Sequence, residues 1–88
     1  MSDHVHASHP AIVKRLNRAG GHLRSIVEMI EAGRSCADIA QQLHAVERAV
    51  SSAKRALIED HIDHCLTNAG DPGEAGVVEQ FRAIAKYL

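Results

Sequence analysis

Aromatic side chains are almost missing from this 88-residue sequence, which has one Phe, one Tyr and no Trp. Its apolar residues are mainly Ala, Leu, Ile and Val, a composition that favours packed helices over a β-sandwich. A chain of this length buries only about 60–65% of its unfolded surface. We therefore predict an all-α fold with a marginal core, in a single domain over residues 1–88 whose first nine residues form a flexible arm.

Long apolar runs and an excess of one charge are also missing. No stretch approaches the roughly 18 apolar residues of a membrane span, which predicts no membrane partner. Two cysteines without a signal-peptide pattern indicate a cytoplasmic protein with reduced thiols. The formal net charge is −1, so a nucleic-acid role has to depend on local charge. No oxyanion-hole loop accompanies the Cys and His residues, and we expect no enzyme activity.

Apolar residues at three- and four-residue steps predict three helices. The first begins after Ser8, a predicted N-cap, and ends at Gly33. Its apolar stripe is formed by Ile12, Leu16, Ala19, Leu23, Ile26 and Ile30. The glycine pair at 20–21 suggests a bend or the close approach of another backbone.

A second helix is predicted from a cap at Ser35 to about Leu66. A turn-rich segment at 67–73 separates it from a short third helix, whose apolar positions are Val77, Val78, Phe81, Ile84, Ala85 and Leu88. The second helix carries one continuous seam, formed by Cys36, Ile39, Leu43, Val46, Val50, Ala53, Leu57, His61 and Cys65. Such a seam requires a partner helix.

Metal-ligand residue types lie at both ends of this seam. His61 and Cys65 are one turn apart on one face and can converge on one ion, whereas His64 points about 60° away from His61. Cys36 lies about 37 Å along the same helix. If two copies pack antiparallel about an axis near residues 49–51, Cys36 of one copy meets His61 and Cys65 of the other. This interpretation competes with a simpler one, in which the cysteines are small core residues and the histidines are solvated.

The amino-terminal segment SDHVHASHP adds further nitrogen donors, His4 and His6 among them. It is either an adventitious His-rich tract or an arm that folds over a partly filled metal site. In the second case His4 or His6, or the terminal amine, raises the coordination number above three.

Basic residues are unevenly distributed. The first 24 residues contain four Lys or Arg and a single acid, Asp3. Candidate DNA-binding residues are Lys14, Arg15 and Arg18 on the first helix, with Lys54 and Arg55 on the second. A charged helix face is also commonly just solvated, and we find no helix-turn-helix, zinc finger or basic zipper.

Residues 13–66 resemble the CsoR/RcnR family of bacterial metal-sensing repressors, through the motifs RLNRAGGHL (15–23), SCADIAQQLHAV (35–46) and DHIDHC (60–65). The resemblance implies a dimer built as an antiparallel four-helix bundle, which assembles into a tetramer. It implies a repressor that binds operator DNA when metal-free and is released when metal binds. It also implies Cys36, His61 and Cys65 as ligand positions, with Arg15 and Arg18 at operator-contacting positions.

The resemblance leaves the metal open between two branches. Copper sensors of the family use the same Cys-His-Cys set, which suits trigonal Cu(I). Their tyrosine before the first cysteine is Ser35 here, and their third-helix glutamate falls at Gln80. The amino-terminal histidines resemble instead the DmeR-like nickel/cobalt branch, so we expect Ni(II) or Co(II) as the effector that derepresses metal efflux. The alternatives are a Cu(I) sensor, a formaldehyde-responsive repressor, a metal carrier that does not bind DNA, and a purely structural bundle.

Overall fold

A computed structural model describes residues 8–67 and 74–88 and forms three α-helices, with no strand in these ranges. Helix α1 spans His9–Glu31, α2 spans Cys36–Thr67 and α3 spans Glu74–Ala85. The predicted all-α fold with three helices is confirmed. The third helix begins and ends about three residues earlier than predicted. Of the turn-rich segment predicted at 67–73, Thr67 is the last residue of α2 and residues 68–73 lie outside the described residues. Within the described ranges, no helix combines the length and apolarity that crossing a membrane requires.

The start of α1 differs from the prediction at Ser8. This residue occupies the N-cap position, but its side chain makes no capping hydrogen bond. Its backbone is already helical, with φ −80° and ψ −14°, and its carbonyl accepts from the Ile12 amide at 3.0 Å. An N-cap side chain reaches the first-turn amides from an extended backbone. The helical backbone of Ser8 therefore explains why the predicted cap is missing.

Gly33 ends α1, as predicted. It has a φ of +78°, a left-handed conformation that glycine adopts without the clash of a Cβ atom. The Gly33 amide donates to the Ile30 carbonyl at 3.1 Å, and the Arg34 amide donates to the Met29 carbonyl at 3.0 Å. These two bonds form a Schellman motif, which satisfies the last carbonyls of α1 and turns the chain toward α2.

The predicted cap of α2 is present at Ser35. Its Oγ accepts a hydrogen bond from the Asp38 amide at 3.1 Å. Asp38 also lies in the first turn of α2, where a carboxylate interacts favourably with the positive end of the helix dipole. Arg34 lies 3.6 Å from the Asp38 carboxylate. Side-chain and backbone bonds therefore hold both sides of the α1–α2 turn.

Helices α1 and α2 pack as an antiparallel hairpin. Arg15 Nη1 donates to Ser52 Oγ at 3.1 Å, and His22 Nε2 lies 2.5 Å from Gln42 Oε1. The first contact pairs residue 15 with residue 52 and the second pairs residue 22 with residue 42, so the two helices run in opposite directions. The two polar contacts fix the register of the hairpin, because a slide of one helix by a turn would separate both pairs.

The hairpin buries only part of each predicted apolar seam. Among the described residues the buried apolar side chains are Ile12, Ala19, Ile26, Val46, Ala53 and Ile58, of which Ile58 lies outside the predicted seam of α2. The exposed apolar members of the two seams are Leu16, Leu23 and Ile30 on α1 and Leu43, Val50 and Leu57 on α2. No part of the described chain approaches Gly20, where an added Cβ would meet nothing within 4 Å. The predicted close approach of another backbone at Gly20 is therefore not found among the described residues of one chain.

The chain is extended. Its principal dimensions are 58 × 23 × 15 Å and its radius of gyration is 17.6 Å. A compact protein of this length has a radius of gyration of about 12 Å. Helix α2 alone has 32 residues and is about 48 Å long. Ile58, near the end of α2, shares a groove with the carboxy-terminal Leu88.

Replacing Gly33 by alanine should destabilise the chain by about 1–2 kcal/mol, because alanine is strained at a φ of +78°. Urea unfolding followed by circular dichroism measures the change. Gly21→Ala is the matched control, since its added Cβ would meet only the Arg24 side chain at 3.8 Å. The control should stabilise the chain by up to about 1 kcal/mol. Equal effects of the two substitutions would contradict the role of Gly33.

Candidate functional site

The three predicted metal ligands of α2 are separated by the helix itself. Cys36 is the first residue of α2, and its thiol is free and exposed. His61 is half-buried near the other end of the same helix, about 37 Å away. Because α2 is continuous from Cys36–Thr67, Cys36 cannot meet His61 or Cys65 within one chain. Cys36 and Cys65 are about 43 Å apart along α2, which excludes a disulfide between them within one chain, because a disulfide requires Cα atoms within about 7 Å.

Among the side chains that the structure describes, no three His, Cys, Asp or Glu residues gather to hold a metal ion. His64 is exposed on α2, three residues after His61. The predicted donors His4 and His6 lie outside the described residues, and so does the side chain of Cys65. A metal site built from Cys36 and His61 therefore requires a second copy of the chain.

An exposed apolar surface that a second copy could cover runs along the hairpin. We call it the apolar side, and it consists of Val13, Leu16, Leu23, Val27 and Ile30 of α1 with Leu43, Val50 and Leu57 of α2. Successive residues of an α-helix are rotated by about 100°. Relative to the buried residues of its own helix, each member of the apolar side is rotated in the same direction about the helix axis, on α1 and on α2 alike. Since the helices are antiparallel, both sets lie on one side of the hairpin. Cys36 lies on this side, seven residues before Leu43.

The three predicted basic residues of α1 lie away from the apolar side of the hairpin. Relative to the buried Ile12 and Ala19, Leu16 is rotated one way around α1, and Arg15 and Arg18 are rotated the other way. On α1, Lys14, Arg15 and Arg18 line a surface groove of about 430 Å³ together with Pro10 and Ala11. The three predicted basic residues of α1 are therefore brought together.

On α2 the predicted Lys54 and Arg55 line a second groove of about 210 Å³, with Ser51, Ile58 and Leu88. A third groove of about 410 Å³ is lined by Arg48, Ser51, Ser52 and Arg55. Arg48 was not predicted from the sequence. Ser52 follows Arg48 by four residues and Arg55 follows Ser52 by three, so the three residues share one face of α2. This spacing could have indicated Arg48 as a further basic residue of that face.

Ser35 precedes Cys36, and its side chain is hydrogen-bonded within the first turn of α2. Its Oγ accepts the hydrogen bond of the Asp38 amide, so it stabilises the turn from which Cys36 projects. Gln80 is exposed on α3. The described residues therefore give Ser35 a structural role at the start of α2.

Comparison with known proteins identifies relatives over most of the chain. A family model described as metal-sensitive transcriptional repressor matches residues 8–87. The copper-sensing transcriptional repressor RicR of Mycobacterium tuberculosis is 40% identical over 79 residues, which cover 85% of this chain and 82% of that protein. The copper-sensing transcriptional repressor CsoR of Bacillus subtilis is 38% identical over 79 residues, covering 86% and 77%. CsoR of Mycobacterium bovis is 31% identical over 86 residues, covering 96% and 72%. No solved structure gives a significant match.

Replacing Ser35 by alanine should cost about 1 kcal/mol, because the Asp38 amide loses its acceptor. Hydrogen exchange of the first-turn amides of α2 and urea unfolding both measure the loss, and Ser35→Asp should restore most of it. Ser25→Ala makes the same chemical change on the exposed surface of α1 and should be close to neutral. Unchanged exchange at Asp38 in the Ser35→Ala protein would rule out the cap.

Proposed function

Because the chain belongs to the metal-sensitive transcriptional repressor family, we propose that it binds operator DNA when metal-free and is released when a metal ion binds. The observation that carries this proposal is the separation of Cys36 and His61 by one continuous helix with an uncovered apolar side. A second copy of the chain, packed in the opposite direction, would bring His61 to Cys36 and would cover the apolar side. The mechanism requires no catalysis.

The apolar side supports an antiparallel dimer. Val50, which is 46% exposed, lies at the middle of α2, close to the axis that would bring each Cys36 opposite the other copy's His61. Covering the exposed half of each apolar side chain contributes about 1 kcal/mol per residue. Gly20 lies within the α1 stripe with open space above it, and it would allow a close approach of the second backbone. We propose that two hairpins pair through this side into a four-helix bundle, and that dimers pair further into a tetramer.

We propose that Cys36 of one copy and His61 and Cys65 of the other hold the metal ion. Two thiolates and one imidazole form a soft, three-coordinate donor set that suits Cu(I). The relatives named above are copper-sensing repressors, which favours Cu(I) over the Ni(II) or Co(II) expected from the amino-terminal histidines. We therefore place Cu(I) first, with His4, His6 and His64 as additional donors only in the nickel/cobalt alternative.

The positions of these ligands suggest how metal binding is coupled to DNA binding. Cys36 and His61 lie at the ends of α2 on the apolar side, so ligation across two copies would favour one arrangement of the helices over others. Lys14, Arg15, Arg18, Lys54 and Arg55 lie on other parts of the same hairpins and would contact operator phosphates in the metal-free arrangement. A coupling of about 3 kcal/mol between the two binding events gives a loss of DNA affinity of about 150-fold.

Replacing Val50 by glutamate should weaken self-association at least tenfold, because two like charges would then face each other near the axis. Sedimentation velocity over a range of concentrations measures the effect. Gln41→Glu adds the same charge to the outward surface of α2 and should leave association unchanged. An unchanged association state of the Val50→Glu protein would exclude this dimer.

Replacing Cys36 by alanine should leave DNA binding of the metal-free protein intact and abolish its release by metal. Fluorescence anisotropy of a labelled operator duplex, with and without Cu(I), Ni(II) or Co(II), measures both properties. His44→Ala removes an exposed imidazole of α2 that pairs with Glu47 at 3.8 Å, and it should respond to metal as the unchanged protein does. Release of the Cys36→Ala protein by metal would refute the assigned ligand.

X-ray absorption of the metal-loaded protein distinguishes the candidate ions. A Cu(I) site from Cys36, His61 and Cys65 predicts two sulfur neighbours and one nitrogen neighbour. Additional nitrogen or oxygen neighbours around Ni(II) or Co(II), together with release from DNA by those ions alone, would favour the nickel/cobalt alternative.

A further inference from the structure

Three surface grooves of the hairpin join into one basic surface. The groove of Lys14, Arg15 and Arg18 on α1 meets the groove of Arg48, Ser52 and Arg55 on α2 at the hydrogen bond from Arg15 to Ser52. Ser51 and Arg55 also belong to the third groove, which contains Lys54. The described residues that line these grooves include six basic side chains, and no acidic side chain is among them.

These basic side chains are available to an external anion. Within residues 8–67 and 74–88, none of the six is paired with a carboxylate, whereas Arg34 is paired with Asp38 at 3.6 Å. Glu47 precedes Arg48 but lies 3.8 Å from His44 on the same helix. Arg48 is exposed, and it faces two serine hydroxyls and the guanidinium of Arg55 across its groove. Hydroxyl and guanidinium groups together are typical phosphate donors.

The groove of Arg48 also stays open in the proposed dimer. Relative to the buried Val46 and Ala53, Val50 is rotated toward the apolar side, while Arg48 and Ser52 are rotated the other way. A second copy on the apolar side leaves them uncovered. Arg48 and Arg55 are separated by about 10 Å along α2, which equals the rise of about three base pairs along the axis of a DNA duplex.

We propose that Arg48, with the hydroxyls of Ser51 and Ser52, forms a phosphate-binding site for the DNA backbone, beside the basic residues predicted from the sequence. This site rests on the proposed function and extends its DNA surface from α1 across α2. The hydrogen bond from Arg15 to Ser52 joins the basic residues of α1 to this site on α2. A contact to the backbone contributes affinity to any duplex without selecting its sequence.

The test measures the salt dependence of DNA binding by the full-length, metal-free protein and its Arg48→Ala variant. One duplex is selected from a random pool by the unchanged protein, and the other is a scrambled duplex of the same length and composition. Loss of one phosphate contact should reduce the slope of log K against log salt by about 0.9 for each copy of the chain that contacts the duplex through Arg48. At 0.1 M salt each lost contact corresponds to a loss of affinity of about five- to tenfold. The loss should be equal for both duplexes.

Arg24→Ala is the matched control, because Arg24 is exposed on α1 and lies outside the three grooves. Arg48→Lys should retain the salt slope, and sedimentation should show the same association state for every variant. An unchanged slope in Arg48→Ala, an equal loss in Arg24→Ala, or a loss confined to the selected duplex would each overturn the phosphate site. Failure of the unchanged protein to enrich or bind any duplex would instead overturn the proposed function.

Discussion

The length and continuity of α2 constrain the rest of this molecule. Every interior peptide group of an α-helix is hydrogen-bonded within the helix, so a continuous helix of 32 residues does not fold back on itself. Its two ends therefore cannot form a joint site, and a metal site at Cys36 would need ligands from elsewhere. The apolar stripe of α2 is also wider than α1 covers, because Leu43, Val50 and Leu57 are exposed beside the buried Val46 and Ala53. The proposed second antiparallel copy would complete the metal site and cover this exposed apolar surface.

The hairpin divides its surface into two functional sides. An amphipathic helix commonly has one apolar face that packs on its own chain. Here the apolar stripe of each helix is wider, so that Ile26 is 1% exposed against α2 while Leu23 beside it is 46% exposed. The apolar side is available to a second copy, and the basic grooves lie on other surfaces of the same two helices. In the proposed assembly, association and DNA binding would therefore be compatible, and metal ligation on the apolar side would change the separation of the basic residues on the other surfaces.

The periodicity of the sequence predicted the helices and their apolar stripes, because local spacing determines which residues share a helix face. It could not predict which half of each stripe would be buried. The hairpin buries Ala19 and Ala53 and leaves Leu16 and Leu57 exposed, since small side chains let two helix axes approach closely. Local chemistry was sufficient for Gly33 and Ser35. It failed at Ser8, whose backbone conformation is not encoded by its residue type. The spacing of Arg48, Ser52 and Arg55 predicts a shared helix face, but it could not predict that this face adjoins the basic residues of α1, because that depends on a contact between Arg15 and Ser52, which are 37 residues apart.

The small core of a single chain suggests a link between the proposed self-association and the stability of this protein. The buried side chains described here are isoleucine, alanine and valine, while most leucines of α1 and α2 remain exposed. Folding and pairing are then linked equilibria, and a ligand that binds only the paired state stabilises that state. An ion at 100 times its dissociation constant contributes about 2.7 kcal/mol in this way. That free energy is close to the coupling of about 3 kcal/mol that a 150-fold change in DNA affinity requires. The proposed site shared between two copies would therefore act directly on the arrangement that binds DNA, whereas a site within one chain would have to transmit its effect through additional contacts.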